Sequence, residues 1–110
     1  MPSHKLFGVN MFVPVTSVAD LGLAVRAARK ANRLRLDDVA SNAGLGLTFA
    51  FDVEHGKETV QLGKVLQLLE ELGIRMTLDV PAAAELELEL LRTRGLKPRR
   101  PRTVKPGGKQ

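Results

Sequence analysis

Five basic residues, Arg26, Arg29, Lys30, Arg33 and Arg35, fall within ten positions of one another. Such a cluster can neutralise the phosphates of a nucleic acid, or it can be an ordinary solvated face. The chemistry of catalysis is poorly represented. There are two histidines, His4 and His55, and no cysteine. No H-x-x-x-H, C-x-x-C or D-x-D-x-D spacing offers a metal site. Gly44 and Gly46 are not followed by the Lys-Ser or Lys-Thr of a phosphate loop. Glu85, Glu87 and Glu89 alternate with leucines and read as a charged, solvated face, not as paired catalytic carboxylates. The inventory therefore excludes the familiar enzyme classes, requires no cofactor and leaves binding as the chemistry to explain.

The elements that would position the basic cluster can be read from patterning. Ser17-Val18-Ala19-Asp20 has the form of a helix start, with the hydroxyl accepting from a backbone N–H and an acid three residues on. Leu21, Ala24, Val25 and Ala28 then recur at helical spacing as far as Ala31. Residues 36–43 form a short helical run with Asp37 and Asp38 in its first turn, where carboxylates complement the helix dipole. Gly44-Leu45-Gly46 breaks the run, and residues 47–54 resume it up to His55-Gly56. Two short helices joined by a glycine-containing turn make a helix-turn-helix. In that motif the second helix is the one that enters a DNA major groove.

The fourth helix is marked by Leu62, Val65, Leu66, Leu69 and Leu72, with Thr59 as a candidate N-cap and Gly73 as the stop. After it the period changes to two. Ile74, Met76, Leu78 and Val80 alternate with Arg75, Thr77 and Asp79, which predicts a strand with one apolar face. A single strand leaves its backbone groups without partners, so it is expected to pair with its copy in a second subunit. Leu, Val, Ala and four Phe must supply the core, since Trp and Tyr are absent. A core this light is often reinforced by dimerisation.

These residues carry a family resemblance. Val39-Ala40, Ala43-Gly44-Leu45 and Val53-Glu54-His55-Gly56-Lys57 match the Leu-Ala, Ala-Gly-Val and Ile-Glu-x-Gly-Lys of the lambda-repressor-like (XRE/Cro) helix-turn-helix family. The match runs on through residues 59–66 and 72–78 and is similar to HipB-type antitoxins. It covers roughly residues 17–80. The resemblance implies a mainly α fold of four to five helices plus one short strand paired across a homodimer, at Ile74, Met76, Leu78 and Val80. It implies double-stranded operator DNA as ligand, repression of the protein's own operon, and a HipA-like serine/threonine kinase toxin as partner.

The DNA-binding face begins at Gly46, and carried over by position its base-facing places are Leu47, Thr48, Phe49 and Asp52. Arg26, Arg29, Arg35 and Lys57 are the expected phosphate contacts; Lys57 has the alternative of capping helix-end carbonyls. Two copies would meet half-sites about 34–36 Å apart. Departures from the motif make direct base reading modest. Arg35-Leu36 replaces the usual hydroxyl cap and Gln of the second helix, and Asp52 stands where Arg is frequent. Asp52 would repel phosphate but could accept from cytosine N4. Phe49 and Phe51 flank the usual buried position at 50 and are read as core residues, with a thymine-methyl contact as the other possibility for Phe49. A module that keeps the fold and neutralises a protein partner without reading DNA is the competing interpretation.

The rest of the chain is organised around this domain. Residues 1–16 are an apolar arm, either lying on a partner or a mobile extension. Residues 81–96 favour a helix over a strand, because Ala, Glu and Leu are strong helix formers and Gly95 offers a stop. Residues 97–110 hold six of the seventeen bases and no acid, a composition expected to be disordered. Without them eleven bases face twelve acids, so the net charge of +5 resides in the tail. That tail is either a nonspecific grip on DNA or a solubilising extension. The absence of cysteine, of a signal-peptide pattern and of an apolar run near the roughly 20 residues of a membrane span points to a cytoplasmic, nucleoid-associated protein without membrane contact.

Overall fold

The computed structural model describes residues 10–95, so residues 1–9 of the arm and the basic tail at 97–110 lie outside the described residues. Two compact units are distinguished, one ending at Thr77 and one beginning at Leu78. The first contains four helices: α1 Val18–Ala31, α2 Leu36–Asn42, α3 Leu47–Glu54 and α4 Leu62–Glu71.

α1 begins as its sequence dictates. Ser17 is extended at φ −152°, and its hydroxyl accepts from the Asp20 N–H at 3.1 Å. Asp20 in turn accepts from the Thr16 backbone N–H at 3.0 Å and its hydroxyl at 2.9 Å. These hydrogen bonds, chiefly the one from the Thr16 backbone, hold the Asp20 carboxyl below its ordinary pKa. The helix ends on a left-handed residue that is not glycine, Arg33 at φ 57°. The Arg33 and Leu34 N–H groups donate back to Lys30 and Arg29 carbonyls.

α2 closes in the same way on Gly44 at φ 76°, where a residue without Cβ meets no penalty. The Leu45 N–H then donates to the Ala40 carbonyl at 2.8 Å, turning the chain sharply into Gly46 and α3. α3 packs against both α1 and α2, and α2 also packs against α4. The approach of α1 to α3 depends on Gly22. A Cβ placed there would lie 2.5 Å from the Val53 carbonyl oxygen and 3.0 Å from that of Glu54. The core is Val25, Val39, Ala40, Ala50, Val53, Val65, Leu68 and Leu69, flanked by Leu21, Leu36, Leu45, Phe49, Val60, Leu72 and Ile74.

α4 departs from its expected face. Leu68 is fully buried with Val65 and Leu69, whereas Leu62 and Leu66 are exposed. The leucines of this helix share one broad face with Val65, opposite Lys64, Gln67 and Glu71, and the buried part is the edge at Leu68 and not the edge at Leu62 and Leu66. Thr59 is not the cap either: the helix starts after Gln61, which makes no side-chain cap bond. The stop at Gly73 is found, with φ 72° and the Ile74 N–H donating to the Leu69 carbonyl at 2.9 Å.

No strand occurs among the described residues, and residues 74–80 are irregular. The alternation belongs to the sequence alone, because residues 75–80 are all exposed; a strand exists only as part of a ladder, and none forms among the described residues. The second unit holds a short 3-10 turn, Ala82–Ala84, and α5, Glu85–Arg94. Helix prevails over strand there, as expected, and Gly95 ends it at φ 74°. Because leucines alternate with glutamates, they spread around the helix, and no residue of α5 is buried.

Candidate nucleic-acid interface

α3 turns Ala50, Val53 and Glu54 inward. At about 3.6 residues per turn, Thr48, Phe51 and His55 fall away from that side, with Leu47 at its margin in the first turn, and all four are exposed. Gly46 caps the helix without a side-chain bond and is also exposed. Among the residues expected on the DNA-binding face, Gly46, Leu47 and Thr48 are therefore open to solvent. Asp52 is at its edge, half-buried and 3.5 Å from the Lys57 ammonium.

Phe49 is not on that face. It is half-buried against the core, with the Lys64 ammonium 6.0 Å from its ring. Phe51, read from sequence as a core residue, is instead 49% exposed. Its ring stacks on His55 with centroids 3.8 Å apart and planes inclined by 18°. His55 Nδ1 lies 2.8 Å from the Phe51 carbonyl oxygen. A carbonyl oxygen only accepts, so this bond places the proton of neutral His55 on Nδ1. Sequence reasoning missed both residues as surface features, although Leu47, Phe51 and His55 follow one another at the helical spacing of four.

The basic cluster separates into structural and surface members. Arg29, expected to face phosphate, is committed inside the domain. Its Nε donates to Glu54 Oε2 at 2.6 Å, its Nη2 to Oε1 at 3.0 Å and its Nη1 to the Leu34 carbonyl at 2.9 Å. The Glu54 side chain is 2% exposed and that of Arg29 15%. This bidentate pairing pushes the Arg29 pKa above its already high ordinary value. Arg29 joins the last turn of α1 to the end of α3 and is not free to meet a phosphate.

Arg35 is different, because it lies on the surface. Its guanidinium donates to both Asp37 oxygens, at 3.0 and 2.8 Å, and lies 4.0 Å from Asp38. The pairing raises the Arg35 pKa and lowers that of Asp37, chiefly through these hydrogen bonds. Exposed pairs of this kind contribute little, so Arg35 can exchange its partner for a phosphate. Lys57 is likewise exposed and loosely paired. Arg26 is half-buried and enters no ion pair among the described residues.

The expected dimerisation residues also divide. Ile74 packs in part against the protomer's own core, while Met76, Leu78 and Val80 are exposed. Leu66, Leu69, Ile74 and Met76 line an open cleft of about 500 Å3.

No protein-family model matches the chain. Over 67 residues it is 46% identical to the "HTH-type transcriptional regulator y4mF" of Sinorhizobium fredii, an alignment covering 61% of this chain and 88% of that protein. Among solved structures, HipB in a HipA-HipB-O2-O3 complex superposes with a TM-score of 0.59 at 22% identity, covering 63% of this chain and 97% of that one. HipB in an O4 20mer complex gives the same values. The fold is thus that of HipB. With a helix-turn-helix whose second helix has an open outward face, and with so near a relative, the chain belongs to the HTH-type transcriptional regulators, DNA-binding proteins and not enzymes.

Proposed function

We propose that the protein is a homodimeric repressor of its own operon and the antitoxin of a HipA-like serine/threonine kinase toxin. The observation that carries this reading is the outward face of α3, Leu47, Thr48 and Phe51, exposed on a rigid domain with the HipB fold. In use, Arg26, Arg35 and Lys57 neutralise phosphates and set the register. Gly46 lets the backbone come close to the groove wall, and Thr48 offers a hydroxyl to a base edge. Asp52, held near Lys57, accepts from a cytosine amino group when it reads at all. HipB occurs in a solved complex with HipA, which supports the toxin partnership for this chain.

The dimer reading rests on apolar surface. Leu62, Leu66 and Met76 are each at least 44% exposed, and residues 74–80 retain the alternation of a strand that needs a partner. Pairing of two such segments would satisfy their backbone groups and cover these side chains together.

A second reading is a protein-neutralising module with little specific DNA reading. It is favoured by the thin polar inventory of α3, where Thr48 is the sole exposed hydroxyl. A salt-titrated binding assay separates the two. A repressor binds its own promoter in preference to random duplex, with affinity falling steeply as salt rises. Equal binding to both duplexes, or none at low salt, selects the neutralising module.

A further inference from the structure

We propose that Phe51 is a specificity-determining residue that reads a thymine methyl group in each half-site, and that His55 is the positioning residue that holds its ring ready. The inference rests on the DNA-binding reading above and assigns to that interface a contact that the family motif does not supply. Phe51 is half-exposed on the outward face of α3, between Leu47 one turn before and His55 one turn after. An aromatic ring left in water costs free energy that burial would recover. The core has no use for it, because Ala50 and Val53 already fill the inward side of the helix.

Nor is the ring loosely held. The His55 imidazole stacks on it at 3.8 Å between centroids, and His55 is itself anchored through Nδ1 to the Phe51 carbonyl oxygen. The arrangement closes a small loop: backbone oxygen to imidazole, imidazole to phenyl ring. A ring fixed in this way loses little conformational freedom on meeting a ligand. In the major groove the apolar group available to such a ring is the C5-methyl of thymine, which no other base carries. Leu47 and Phe51 together form an apolar strip along α3, so methyl reading compensates for the missing amide and guanidinium side chains of the motif.

The test uses the full-length protein and a duplex that it selects from a randomised library. Each thymine of that duplex is replaced in turn by uracil, which removes the methyl group and nothing else. Replacement at one particular thymine of each half-site weakens binding about fourfold, the worth of one buried methyl, while the other replacements have no effect. Phe51→Ala abolishes that sensitivity and leaves the salt dependence unchanged. His55→Ala reduces the sensitivity, and His55→Phe, which keeps a stacking ring, restores it. Uniform indifference of the wild-type protein to uracil overturns the proposal while leaving DNA binding intact. Sensitivity that persists in Phe51→Ala also overturns it, assigning the methyl contact to another residue such as Leu47. Failure to select any duplex overturns the DNA-binding reading and this inference with it.

Discussion

Glu54 keeps a carboxylate out of water at the far end of α3, and the two-pronged bond from Arg29 is what makes this tolerable. Glu54→Ala strands the guanidinium without a counter-charge and is expected to cost about 3 kcal/mol in urea denaturation. Replacing both partners with apolar residues should cost less than the sum of the single changes; strict additivity would show that the two are not coupled. Arg29→Ala is accordingly expected to act on folding before it acts on DNA affinity. Arg33 presents the opposite case, a side chain at φ 57° where glycine belongs. Arg33→Gly is expected to raise stability by roughly 1 kcal/mol, since the left-handed conformation carries a cost for L-residues. The Asp20 carboxyl is held below its ordinary pKa of 3.8 by bonds from Thr16. Its stabilising contribution is therefore full above the unfolded value and lost as pH falls through the lower folded one. Asp20→Asn should lower the melting temperature at pH 7, with the gap to the parent protein closing below about pH 4.

At the scale of elements, α1 and α3 meet at a glycine. Gly22→Ala would force a Cβ against the Val53 carbonyl, 2.5 Å away, and the two helices must separate to admit it. The expected loss is about 2 kcal/mol, measured by chemical denaturation; an unchanged midpoint would mean that the helices are not held so close. The positions of the helices were legible in the sequence. Ser17, the paired aspartates at 37 and 38, Gly44 and Gly73 each act locally, through capping, the helix dipole or a left-handed turn, and each lies where its chemistry predicts. What could not be read was which part of a broad apolar face is covered. In α4 the leucines and Val65 share one side of the helix, and packing in the folded domain buries its Leu68 edge and leaves Leu62 and Leu66 exposed. Around Ala50, two phenylalanines offered themselves for burial. The close packing of α2 on α3 admits the alanine, tucks Phe49 against the edge and turns Phe51 outward. The Arg29–Glu54 bond joins residues 25 positions apart, beyond the reach of any local pattern.

For the whole molecule the proposed dimer is what remains to be tested. Residues 74–80 have strand alternation without a strand, and the exposed leucines of α4 and Met76 await cover. Met76→Pro removes a ladder donor and is expected to shift the protein from dimer to monomer in sedimentation. An unchanged dimer would place the contact elsewhere. Loss of the dimer should also abolish binding to a two-half-site duplex far more severely than binding to a single half-site, because the second contact is gained at high effective concentration only when the copies are joined. The basic charge at 97–110 would add an affinity that responds to salt and not to sequence.

The glycine contact between α1 and α3 and the buried ion pair across the same two helices have one further consequence. A recognition helix so firmly anchored cannot pivot to suit a new target, so its aim is a property of the scaffold. Altered operator preference would then be reached by exchanging Leu47, Thr48 and Phe51 alone, much as type is changed in a fixed press.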